Sequence, residues 1–160
     1  MIEAITDITA SPDEVWAVLT DFTHYSAWTS YIQQISGHPE EGFYLRIMMG
    51  PPGRRPYNVF TPVLEATPGV RLAWAVVVPG ASWLHRAIFT GTHEFVLTAL
   101  PNRSTRLAHR EYFSGVLSRF AREQQRDAEE GFRSFNTALK LRVEELVDLK
   151  DKVGGPDSGF

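Results

Sequence analysis

Two strand-like runs carry the residues best suited to chemistry. In RLAHREYFSG, Arg106 to Gly115, side chains alternate across a strand with a period of two, so Leu107, His109, Glu111 and Phe113 share one face. In GTHEFVLT the same alternation puts His93, Phe95 and Leu97 on one side and Thr92, Glu94 and Val96 on the other. The turn Pro101-Asn102-Arg103-Ser104 joins the runs into a hairpin, which gathers His93, His109 and Glu111 beside Phe95 and Phe113. Two imidazoles and a carboxylate among apolar residues suit proton transfer. Desolvation raises a Glu pKa and lowers a His pKa, and a charged neighbour reverses either shift. Such a set can abstract a proton next to a carbonyl and return one to a leaving hydroxyl. A second reading stands beside this one: the same groups form a hydrogen-bonded network that holds the last strand to its neighbours, since burying them is costly unless each has a partner.

Metal chemistry has less support. Two His and one carboxylate make a facial iron triad only if all three converge, and the downstream Cys ligands of a zinc deaminase are absent. No metal and no cofactor are expected.

Composition narrows the class. A chain of 160 residues is long enough to bury roughly 70% of its unfolded surface. Its 43% apolar and 22% charged residues are ordinary for a globular protein, with aromatics prominent at Phe 10, Tyr 5 and Trp 4. A net charge of -3 argues against a nucleic-acid partner, which calls for a basic face. The absence of Cys rules out disulfides and thiolate chemistry and suits a reducing compartment. MIEAITDITA lacks the basic and apolar regions of a signal peptide, and no apolar run approaches the roughly 20 residues that span a bilayer. A cytoplasmic protein without a membrane span is expected, as monomer or homodimer. Neither a phosphate-binding glycine loop nor a GxSxG elbow is present, so nucleotide and serine-hydrolase chemistry have no support.

The elements that must position the hairpin follow from periodicity. Ile2 to Thr9 reads as a strand. SPDEVWAVLTDF opens a helix, with Ser11 as N-cap, Pro12 at the first helical position and Glu14 completing a capping box. In THYSAWTSYIQQI, the spacing of Tyr25, Trp28, Tyr31, Ile32 and Ile35 predicts a second short helical piece. From Phe43 to Gly115, strand-length runs separated by turn residues predict a meander of antiparallel hairpins. Apolar residues at three- and four-residue steps, from Leu117 through Phe132, Phe135, Leu139 and Val143 to Leu146, then predict one helix from about Ser118 to about Lys150. At roughly 45 Å such a helix needs a long partner, which the concave face of the sheet supplies. The expected organisation is one domain over residues 1–150 and a flexible tail over 151–160.

This order of elements, with ITASPDEVWAVLTDFTHYSAWTSYI, RLAW, GTHEFVLT, TRLAHREYFSG and GFRSFNTALKLRVEEL, resembles the polyketide cyclase/dehydrase and lipid-transport superfamily, also called SRPBCC, START-like or Bet v 1-like. The resemblance implies an α+β helix-grip fold, with a curved antiparallel sheet wrapped around a long C-terminal helix and two short helices after the first strand. It also implies a cavity between sheet and helix for a hydrophobic or amphipathic small molecule. On that basis Trp28, Tyr31, Trp74, Phe95, Phe113, Phe120, Ala128 and Phe132 are candidates for the cavity wall, as is Trp83, though core packing accounts for any single aromatic. Periodicity does not say which face of Val70 to Val78 points inward, since alternate positions on both faces are apolar.

Gln124 breaks the helical stripe with an amide that can orient a ligand's carbonyl or hydroxyl, or meet water at the cavity mouth. GPPGRRP reads as an exposed loop with Arg54 and Arg55 at its tip. Two functions fit: a cofactor-independent cyclase or dehydratase, of lyase or isomerase type, with Glu111 and His109 or His93 as acid and base, and a noncatalytic lipid or small-hydrophobe carrier or sensor.

Overall fold

The computed structural model describes residues 1–51, 53–76, 90–114 and 122–153. Strand β1 (Ile2–Ile8) leads into helix α1 (Pro12–Thr20) and a 3-10 helix (Phe22–Ala27). Strands β2 (Ile32–Ser36), β3 (Tyr44–Met49), β4 (Tyr57–Thr67), β5 (Arg71–Val76), β6 (Thr90–Leu100) and β7 (Ser104–Ser114) follow, then helix α2 (Arg122–Val153). The strands form one curved antiparallel half-barrel in the order β1-β7-β6-β5-β4-β3-β2. This is the helix-grip fold. Among the described residues no helix is long and apolar enough to cross a membrane.

The helix starts where its caps dictate. Ser11 Oγ accepts from Glu14 N–H, and the Glu14 carboxylate accepts from Ser11 N–H at 2.9 Å, completing the capping box around Pro12. Burial alone would raise the Glu14 pKa, but the Ser11 N–H and hydroxyl and the Arg103 guanidinium outweigh it and bring it down to about 2. At the 3-10 helix, Tyr25 is buried and its hydroxyl donates to Leu19 C=O at 2.6 Å.

The sequence expectation for THYSAWTSYIQQI is half right. The 3-10 helix ends at Ala27, and Ile32–Ser36 is the edge strand β2 rather than a continuation. The physical reason is a bulge: the β2–β3 register shifts between Ile32 and Gln34, so Ile32 and Ile35 both turn inward despite being three residues apart. A bulged strand thereby imitates helical spacing.

Helix α2 buries Phe132, Phe135, Asn136, Leu139 and Val143, a stripe at three- and four-residue steps that lies on β1, with α1 and β7 alongside. It continues to Val153, past the expected end near Lys150. Gly131 lets Tyr31 approach: a Cβ there would stand 2.0 Å from Tyr31 Cε2, so the ring lies against bare helix backbone.

Candidate functional site

Strand register fixes the site. On the inner face of the sheet, one row across β5, β6, β7 and β1 holds Trp74, His93, Glu111 and Ile2, and the next holds Leu72, Phe95, His109 and Ala4. The inward face of β5 is therefore the one with Leu72 and Trp74. Ala73 is buried as well, on the outer face, which explains why hydropathy alone could not choose.

The polar groups of these rows form a line. Glu111 Oε2 lies 3.4 Å from His93 Nδ1, His93 Nε2 lies 3.0 Å from His109 Nε2, and His109 Nδ1 lies 2.9 Å from Asn136 Oδ1. Asn136 Nδ2 in turn donates to Ala4 C=O at 3.1 Å and to Thr6 Oγ1 at 3.3 Å. Aromatic rings wall it in: Trp74 stacks on His93 at 4.6 Å, and Phe132 on His109 at 3.7 Å, with Phe95 and Phe135 against the same imidazole. Burial holds the His109 imidazole well below its usual pKa, and His93 pushes the same way, while the bond to Asn136 opposes both.

Exposure runs one way along the line. The His109 residue is 0% exposed, the His93 side chain 5% and the Glu111 side chain 14%. The line therefore opens at Glu111. Tyr57, on the inward alternate set with Val59, Thr61 and Val63, belongs to that end: burial raises its phenol pKa, the Glu111 charge adds to the rise, and Arg54 opposes it. Arg54 and Arg55 are exposed, as a loop tip should be.

The three residues do not converge on a point. His93 turns Nε2 to His109 at 3.0 Å and Nδ1 to Glu111 at 3.4 Å, so the carboxylate and the second imidazole meet different nitrogens of one ring and a single ion cannot touch all three residues. Among the described residues no group of three or more His, Asp or Glu is placed to hold a metal ion.

Of the expected wall residues, Trp74, Phe95 and Phe132 enclose the line directly. Tyr31 is buried against Phe132 and Gly131, and Ala128 packs on the same core. Trp28 stands further off, between Tyr25 and Phe135. Phe113 lies on β7 opposite Gly91 and Gln124 lies on α2, but their side chains fall outside the described residues, as do Phe120 and Trp83 altogether. The sequence reading missed Asn136. Its signal was available: four residues after Phe132 and three before Leu139, it puts an amide in the middle of the buried stripe.

A family model described as polyketide cyclase / dehydrase and lipid transport matches residues 2–144. The chain belongs to this family. Solved structures agree in fold. A START superfamily protein from Mycobacterium smegmatis is 18% identical at a TM-score of 0.69, with 91% of this chain and 97% of that one covered. A protein from Thermus thermophilus is 15% identical at 0.66, with 91% and 97% covered. A norcoclaurine synthase point mutant from Thalictrum flavum, in complex with a transition state analogue, is 12% identical at 0.66, with 91% and 94% covered. No curated protein sequence matches the chain. Family and fold support a ligand-binding domain of this superfamily.

Proposed function

We propose that the chain binds a hydrophobic or amphipathic small molecule between sheet and long helix and acts on it as a cofactor-independent cyclase or dehydratase. The observation that carries this reading is the hydrogen-bonded line Glu111–His93–His109–Asn136, enclosed by aromatic rings and open at its carboxylate end. Glu111, backed by His93, is the acid and base. As a carboxylate it takes a proton from carbon beside a carbonyl, and as a carboxylic acid it returns that proton to a departing hydroxide, which leaves as water. His109 has both ring nitrogens engaged and no exposure, so its part is to hold His93 rather than to touch substrate. Trp74, Phe95 and Phe132 shape the apolar wall, with Tyr31 and Ala128 behind Phe132. The norcoclaurine synthase structure, which holds a transition state analogue, supports the reading as a synthase of the same architecture.

The test is native mass spectrometry of the purified chain to find the small molecule it carries, followed by Glu111→Gln. The substitution keeps the shape and removes the titratable group. An enzyme of this kind loses turnover and retains binding. A change in affinity alone, with no turnover by the unaltered chain, makes the protein a carrier or sensor instead.

A further inference from the structure

The line of hydrogen bonds has a direction, and its inner end sets it. Ala4 offers a backbone carbonyl, which can only accept, so the Asn136 atom 3.1 Å away must be the amide nitrogen. A flipped amide would set two acceptors against each other there. Asn136 Oδ1 is therefore the atom facing His109 Nδ1 at 2.9 Å, and that ring nitrogen carries hydrogen. A neutral His109 has only an acceptor left at Nε2, so His93 Nε2, 3.0 Å away, must donate to it. His93 Nδ1 is then the one ring nitrogen not fixed by this logic, and it faces Glu111 Oε2 at 3.4 Å.

We propose that Asn136 and His109 are positioning residues that fix the tautomers of the line, leaving one labile proton, shared by His93 Nδ1 and the Glu111 carboxyl at the open end. The dyad is either a carboxylic acid beside a neutral imidazole or a carboxylate beside an imidazolium. Both forms hold one proton and carry no net charge. The ligand group that fits such an end is an uncharged oxygen, a carbonyl or hydroxyl, which can accept that proton or give one back. Burial keeps His109 from taking the proton itself, consistent with its lowered pKa. The groups facing the line are Thr6 from β1, Tyr57 from β4, Trp74 from β5, and Phe132, Phe135 and Asn136 from α2. Tyr57 is the titratable group among these neighbours, and Arg54 is the charged group beside it at the Glu111 end.

This inference rests on the acid–base reading above, but its test does not need a ligand. Long-range nitrogen–proton correlation spectra of the full chain, with histidines assigned by single substitution, report which ring nitrogens carry hydrogen. The expected result is a His109 that stays the neutral Nδ1–H tautomer from about pH 8 to about pH 5.5, and a His93 that carries hydrogen at Nε2 throughout. In Asn136→Leu, which removes both donor and acceptor at similar size, His109 is expected to lose its fixed tautomer. A wild-type His109 hydrogenated at Nε2, or protonated on both nitrogens near neutral pH, overturns the proposal, as does a tautomer unchanged in Asn136→Leu. If that variant does not fold, the wild-type spectrum alone decides the direction. A chain that carries no small molecule yet shows these tautomers refutes the function and leaves the wiring standing. A chain that binds a ligand with the opposite tautomers refutes only the wiring.

Discussion

The two faces of the β5-β6-β7-β1 sheet are built from neighbouring residues and solve opposite problems. On the inner face stand His93 and His109; on the outer face, one residue along, stand Glu94 and Arg110. The outer face carries a ladder of alternating charge. Glu65 pairs with Arg71, Arg71 Nε donates to Glu94 at 2.9 Å, Arg110 lies 3.6 Å from Glu94, and Arg110 Nε donates to Glu3 at 2.5 Å. Ala73, between Glu65 and Glu94 in the register, leaves room for the Arg71 side chain to reach both. Glu94, with a side chain only 4% exposed, is thus a buried carboxylate held by two guanidiniums. Every charge there has an opposite neighbour, so the ladder has nothing left to offer a ligand. The inner line also satisfies its atoms, but through hydrogen bonds among two imidazoles and an amide, and it ends in a partly exposed carboxyl group. The outer face is closed by charge pairing, whereas the inner line leaves one carboxyl group partly exposed.

Four substitutions or titrations separate the two faces. The largest effect belongs to Arg71→Leu, which strands Glu94 with a single, longer partner; removing one member of a buried pair costs about 3 kcal/mol, read from urea unfolding, with the histidine spectrum unchanged. Loss of the inner tautomers in that variant would mean the faces are not independent. Gly131→Ala comes next, because the added methyl displaces Tyr31 beside Phe132; overpacking of that kind costs about 2 kcal/mol, partly offset by better helix propensity, and is checked by thermal unfolding.

The third effect is pH. A folded His109 pKa below the unfolded value of 6.5 means the unfolded chain binds more protons in that window, so stability is full above it and falls as pH drops. The expected loss is about 1 kcal/mol between pH 6.5 and 5.5 relative to His109→Gln, which removes this contribution. Equal pH dependence in both would show that His109 is not held neutral. The smallest effect is Glu111→Gln on stability, within about 0.5 kcal/mol, as suits a group at the open end. A loss as large as that of Arg71→Leu would place Glu111 with the ladder.

Much of this arrangement is legible in the sequence, and its gaps have physical causes. Alternation in GTHEFVLT and RLAHREYFSG places His93, His109 and Glu111 on one face, because a two-residue period survives in regular strands. The same rule fails at Ile32–Ser36, where a bulge converts it into a three-residue spacing. The outer ladder is invisible because its members are distant in the chain, Glu3 and Arg110 by 107 residues, and charged positions read alone as solvated surface. The two-sided burial of Leu72, Ala73 and Trp74 is ambiguous for the same reason, since the ladder covers Ala73 from outside. Asn136 stands apart: its place in the stripe is readable, but its role appears only once Ala4 C=O and His109 are beside it.

The central claim, that the inner line faces a ligand at Glu111, is tested most directly by the histidine spectrum of the chain before and after adding back the small molecule found by mass spectrometry. The account expects the His93 Nδ1 signal to move and the His109 tautomer to stay fixed. A bound molecule that leaves His93 unchanged would contradict it and make the line a part of the core.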